Sequence, residues 1–223
     1  MAEPHRRLDD DLNLLRDKVL LLGGAAEMVV RKAVTALVER DSNLAQEVLA
    51  GDDAIDQMEL EIDELTIDIL ALRTPTARDL RFVMMAAKLA PTLERMADHA
   101  CNIARHAIYL NDEPQLKPYI DLPAMGDLAA EMIKTSMDAF AEQDAEKART
   151  LIHRDDRIDA LYIQIFRELL TYMIETPQTI SRATNLLFVA KHLERIADYV
   201  TNICEQIVYM VEGRVIKHMP IES

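Results

Sequence analysis

The stretch LERMADHACNI, residues 93–103, returns 100 positions later as LERIADYVTNI, residues 193–203. Upstream segments return at a slightly longer spacing. ALVERD (36–41) reappears as AFAEQD (139–144), Gly23 as Gly126, and DDAID (52–56) as DDRID (155–159), each 103 residues on. The three-residue slip therefore falls between the two sets, most simply near the turns at Thr74-Pro75 and Thr176-Pro177. Periods of about 20–50 residues mean solenoids. A single period near 100 means that one multi-helix unit has been duplicated.

The unit reads as three helices. Leu12, Leu15, Val19, Leu22, Ala26, Val29, Ala33 and Leu37 recur at alternating steps of three and four residues, the apolar stripe of one long bundle helix. Gly23-Gly24 sits inside it, at about 1 kcal/mol per glycine in a helix interior, so a close helix–helix approach is expected there. ERDSN (39–43) ends the stripe, and Asp41 or Ser42 can cap a second helix running to about Leu72. After the turn in RTPTARDL, Thr76 can cap a third helix to about Leu110, with Asp79 in a capping-box-like position. NDEPQLKPYIDLP (111–123) has three prolines and no periodicity, and reads as a linker. Half of the residues are hydrophobic, but only 4% are aromatic and five are glycine, a helix-forming mixture. The expected fold is all-α: a first three-helix bundle over 8–112, a linker over 113–122 and a second bundle over 123–213.

The formal net charge of −14 argues against nucleic acid as a partner, since phosphate backbones need a cationic face. Two cysteines, Cys101 and Cys204, make no disulfide framework, which points to a reducing cytoplasm. The charged N-terminus is unlike a signal peptide, and no apolar run of about 18 residues could span a bilayer. Any membrane role is expected to be peripheral.

The acidic residues show more pattern than the charge alone. Glu94 and Asp98 are four apart and share a helix face, with Asn102 a turn further on. Asp52 and Asp56 form the same pair on the second helix. Folding helix two against helix three about residue 75 or 76 brings both pairs to one level, because antiparallel helices rise equally per residue. The second half repeats this with Asp155 and Asp159 facing Asp198 and Asn202, and with Glu194 at the position of Glu94. Carboxylates gathered at one height repel by about 1 kcal/mol per 4 Å pair in water, and more when desolvated. Arg95 and Arg195 each lie one residue off the acidic face, whereas hard cations held by oxygen ligands would relieve the repulsion directly. The bland alternative is a solvated acidic face. Glu59/Asp63 has the same spacing but no acidic counterpart in the second half, where Tyr162 stands at the place of Glu59, and it reads as solvated surface.

Other chemistry is sparse. None of the six histidines has Glu three residues before it, which disfavours a ferritin-like di-iron site. His99 adjoins Asp98 and is a possible further ligand, while Cys101 and Cys204 read as small buried hydrophobes. No phosphate-cradling glycine loop, nucleophile elbow or CxxC pair occurs.

The duplicated LER-[MI]-A-D-xxx-NI, the DDxID segments and ALRTPTARDLRFV resemble the PhoU family over about residues 8–213. The resemblance implies a duplicated three-helix bundle without enzymatic activity. It implies a cytoplasmic accessory protein of the phosphate-specific ABC transporter and a negative regulator of phosphate-starvation signalling. Its partners would be the transporter ATPase subunit, a membrane sensor histidine kinase and a second copy in a homodimer. It further implies metal ions, iron or another divalent such as zinc, manganese or magnesium, at E/D-x-x-x-D motifs. Here those are Glu94/Asp98 and Glu194/Asp198, faced by Asp52/Asp56 and Asp155/Asp159. Pro91 departs from the family pattern and is expected to kink the third helix just before Glu94. Two other readings of the residues remain: a metal-dependent hydrolase, which would need a concave pocket beside the metals, and a metal-free helical scaffold.

Overall fold

A computed structural model describes residues 3–215 of the chain. The helices are α1 (Glu3–Val38), α2 (Ser42–Ala50), α3 (Asp52–Arg73), α4 (Ala77–Asn111), α5 (Asp121–Glu142), α6 (Ala145–Ile152), α7 (Asp155–Glu175) and α8 (Ile180–Glu212). A 3-10 turn, Pro177–Thr179, precedes α8. Among the described residues no strand occurs, and no helix is long and apolar enough to cross a membrane.

The duplication sets the architecture. Burial in α1 repeats in α5 at an offset of 103: Val19, Leu22, Ala26, Val30, Ala33 and Leu37 answer to Leu122, Met125, Ala129, Ile133, Ser136 and Phe140, all at 2% exposure or less. Burial in α4 repeats in α8 at an offset of 100, from Val83 and Ala183 through Ala107 and Ile207. Thr66 in α3 answers to Leu169 in α7 at 103, so the slip lies between residues 66 and 83, across the turn that carries Thr74-Pro75. Each half is a bundle of three long helices. Equivalent helices then pair, α1 against α5 and α4 against α8, so one continuous core joins the halves.

Gly23 and Gly126 occupy the α1–α5 crossing. A Cβ on Gly23 would stand 2.4 Å from Met137 Sδ, and one on Gly126 would stand 2.7 Å from Val34 Cγ2. The close approach expected of the glycine pair thus belongs to Gly23; Gly24 has open space beside it.

The second helix differs from expectation. It is broken at Gly51 into the short α2 and the long α3, and the break recurs at His153-Arg154 between α6 and α7. Gly51 supplies no side-chain contact and its N–H turns back to the Glu47 and Val48 carbonyls, ending α2. Asp52 and Asp53 then open α3, favourable charges for a helix N-terminus. The Asp41 carboxylate caps α2 by accepting from the Asn43 and Leu44 N–H groups, and Asp144 caps α6 through the Lys147 N–H. Thr76 stands at the N-cap of α4 but makes no side-chain bond to the backbone; its hydroxyl donates to Asp79 Oδ2 at 3.2 Å. Helix α4 runs through Pro91, and the buried positions on both sides of it keep the register of α8, so the first LER motif stays on the same face as the second.

Candidate metal-binding faces

The first face is built by the start of α3 and the middle of α4. Asp98 acts on both Asp56 and Glu94, and Asp56 acts on Glu94. The Asp56 carboxyl is raised by burial, then by Asp52, Asp98 and Asp53. Glu94 is raised by burial, then by Asp98, Asp56 and Glu59, with Arg95 opposing. Asp56, Glu59, Leu60 and Glu94 line a shallow cavity of about 380 Å³. Glu59 therefore belongs to this face, contrary to its reading as solvated surface; its own carboxyl is raised by burial, then by Asp63 and Asp56. The Cys101 thiol also reaches the face, donating to Asp52 Oδ1 at 3.3 Å, and is pushed up to about 12 chiefly by burial.

The second face is built by α7 and α8 in the same way but is more enclosed. Asp155 is pushed up to about 6 by burial, then by Asp159, Asp198, Glu194 and Asp156. Asp198 is raised by burial and Glu194, with Arg195 and Lys191 opposing. Asp155 Oδ1 and Glu194 Oε2 are both buried and make no hydrogen bond. The Glu194 side chain is only 14% exposed.

The two faces differ in their cations. Lys191 Nζ lies 2.6 Å from Glu194 Oε1 and 5.3 Å from the centroid of Tyr162, the residue that stands where α3 has Glu59. Arg195 pairs with Asp198 Oδ2 at 3.1 Å. On the first face Pro91 stands at the position of Lys191, and Glu59 adds a carboxylate. The first face thus carries five carboxylates where the second carries four with two paired cations.

The asparagines are each bonded within their own helix: Asn102 Oδ1 accepts from Arg105 at 2.8 Å, and Asn202 Nδ2 donates to the Asp198 carbonyl at 2.9 Å. His99 sits at the α4–α8 seam, lowered by burial with Asp98 and Glu194 opposing. Its Nδ1 lies 2.8 Å from His192 Nδ1 across the α4–α8 seam, and His192 is pushed down to about 4 by burial, then by His99 and His106. Among the described residues, no three His, Cys, Asp or Glu side chains lie close enough together to hold an ion as they stand. The carboxylates share faces without converging on a point.

Comparison with known proteins agrees with this architecture. The PhoU domain matches twice, at residues 19–107 and 122–207. A phosphate-specific transport system accessory protein PhoU homologue of Aquifex aeolicus is 41% identical over 217 residues, covering 97% of this chain and 98% of that protein. One from Pseudomonas putida is 40% identical, covering 97% of this chain and 85% of that protein. The crystal structure of PhoU from Pseudomonas aeruginosa superposes with a TM-score of 0.89 at 40% identity, covering 92% of this chain and 99% of that one. The phosphate transport system regulatory protein PhoU from Streptococcus pneumoniae gives 0.88 at 33% identity, over 93% and 98% of the two chains. With both halves matched, and relatives of this similarity spanning nearly its whole length, the chain belongs to the PhoU family.

Proposed function

We propose that this protein is a non-enzymatic accessory protein of a phosphate-specific transport system, acting in the cytoplasm as a negative regulator of phosphate homeostasis and starvation signalling. The observation that carries the reading is correspondence along 97% of the chain with relatives bearing that name. Its proposed partners are the transporter ATPase subunit, the sensor histidine kinase of the phosphate response and a second copy of the chain.

In this reading the two carboxylate faces hold metal ions. The residues suit such ions. Asp155 Oδ1 and Glu194 Oε2 are buried acceptors without a hydrogen bond, the latter 3.8 Å from Arg195 Nε, and mutual repulsion among Asp155, Asp159, Glu194 and Asp198 favours a bound cation. Asp52, Asp56, Glu94 and Asp98 would serve likewise on the first face, with Glu59 beside them. Small rotamer changes on exposed α3 and α7 side chains would draw the oxygens together. A bound ion would neutralise each face and order it for contact with a partner. The cavity on the first face is shallow, and the one thiol that adjoins it among the described residues, Cys101, is pushed up to about 12, which favours a binding role over hydrolysis.

Deleting the gene tests the regulatory part. Alkaline phosphatase activity in phosphate-rich medium is expected to rise in the deletion strain and fall again on complementation. Unchanged repression in a strain without a second copy would contradict the reading.

A further inference from the structure

The carboxylate faces follow the internal repeat, but one cavity is lined by residues that the repeat does not keep. About 470 Å³ of open space lies where the starts of α1 and α4 meet the ends of α5 and α8, and Arg16 and Arg78 both line it. In a chain of net charge −14, neither arginine is in an ion pair among the described residues. Arg16 Cζ rests 5.3 Å from the Phe82 ring centroid, its Nη1 reaches Asn13 Oδ1 at a long 3.4 Å, and its Nε is buried with no hydrogen-bond partner. Arg78 Nη2 donates to Gln143 Oε1 at 2.6 Å. Arg78 also stands in the first turn of α4, whose N-cap side chain makes no bond to the backbone. Free N–H groups and the helix dipole add to the positive character there.

The internal duplication supplies a comparison for this cavity. By the repeat offsets, Gln143 answers to Arg40, Arg16 to Tyr119, Phe82 to Arg182 and Met210 to Leu110. At that opposite end the linker stands where the start of α1 stands here, and its carbonyls engage the arginines. Arg40 donates to the Asn111 and Glu113 carbonyls, both at 2.6 Å, and Arg182 donates to the Pro114 carbonyl at 2.7 Å. The Tyr119 phenol lies within the influence of both arginines. At that end Arg40 and Arg182 are engaged by linker carbonyls, although Arg40 Nη1 is also buried without a partner, whereas Arg16 and Arg78 hydrogen-bond only to side-chain amides among the described residues and line open space.

We propose that this cavity binds a small hydroxylated oxyanion. Guanidinium groups recognise paired oxygens of carboxylate or phosphate. Asp9 and Asp79 also line the cavity. Asp79 Oδ2 is engaged by the Thr76 hydroxyl, and Asp9 disfavours a bare dianion and selects a ligand that brings donor hydroxyls with its acceptor oxygens. Phe82, Leu12 and Met210 provide an apolar floor for the ligand's carbon or oxygen frame.

The test is isothermal titration of the full chain at fixed ionic strength, with chelator present so that metal-bridged anions do not contribute. Inorganic phosphate and malate are the probes, and chloride is the control. Saturable binding of at least one probe is expected, weakened at least tenfold (~1.4 kcal/mol) by Arg78→Gln and by Arg16→Gln. It is expected to be unchanged in Asp98→Ala/Asp198→Ala and in the exposed Arg167→Gln. The probe that binds assigns the head group. Should Arg16→Gln impair folding, the exposed Arg78 carries the test. No saturable binding of either probe, or binding that survives Arg78→Gln, would overturn the proposal, and neither outcome depends on the metal reading.

Discussion

Gly126 of α5 and Val34 of α1 meet so closely that a Cβ on the glycine would stand 2.7 and 2.8 Å from the two valine methyl groups. The equivalent contact, Gly23 against Met137, repeats it 103 residues away with the helices exchanged. Ala is intrinsically better than Gly in a helix by about 1 kcal/mol, but overpacking typically costs about 1–3 kcal/mol. Valine is stiff at χ1, while the methionine side chain can swing aside. Gly126→Ala is therefore expected to destabilise the protein in urea melts, and Gly23→Ala to do so less. Val34→Ala should partly rescue Gly126→Ala; additive losses would contradict the contact.

The paired caps give a second expectation. Asp41 and Asp144 each accept backbone N–H donors at the start of a short helix. Asp41→Ala and Asp144→Ala should each cost about 1 kcal/mol, measured by chemical denaturation, while Asp41→Asn and Asp144→Asn should retain most of the stability.

Two groups set opposing pH dependences. Asp155, raised from its ordinary range to about 6, is more protonated in the native than in the unfolded state, so stability rises as pH falls through 6 toward 4. His192, lowered to about 4, binds its proton more readily when unfolded, so stability falls as pH drops from about 6.5 toward 4. Thermal melts in chelator are expected to show Asp155→Asn stabilised at pH 7 and losing more stability on acidification than wild type. His192→Asn should show the reverse slope. Parallel pH profiles for wild type and Asp155→Asn would contradict the assignment.

The unequal faces predict unequal affinity. With Glu59 added and no lysine at Pro91, the first face should bind a divalent ion more tightly than the second, where Lys191 and Arg195 already pair with Glu194 and Asp198. Comparing Asp98→Ala, which leaves the second face, with Asp198→Ala, which leaves the first, by manganese titration checks this. Lys191→Ala in the Asp98→Ala background should raise the remaining affinity.

The duplication, the long helices and the glycine crossing were legible in the sequence because burial on a helix is periodic and the repeat preserved its phase. The pairing of Asp52/Asp56 with Glu94/Asp98 was legible for the same reason: equal rise fixes the level at which antiparallel helices meet. Glu59 was not, because repeat comparison set it against Tyr162 and so removed it from the acidic set. The break at Gly51 was missed because a lone glycine is tolerated inside a helical pattern, although Gly51 followed by Asp52-Asp53 carries the local stop and start signals. The direction of His99 depended on the α4–α8 seam, which brings His192 within 2.8 Å. The Arg16–Arg78 cavity draws on four helices and has no sequence signature.

The most direct measurement of the central claim is the metal content of protein purified without chelator, wild type beside Asp98→Ala/Asp198→Ala. Bound metal is expected in the wild type and its substantial loss in the double variant, with both chains equally helical by circular dichroism. Equal metal in the two proteins, or none in either after incubation with iron, zinc or manganese, would contradict that claim.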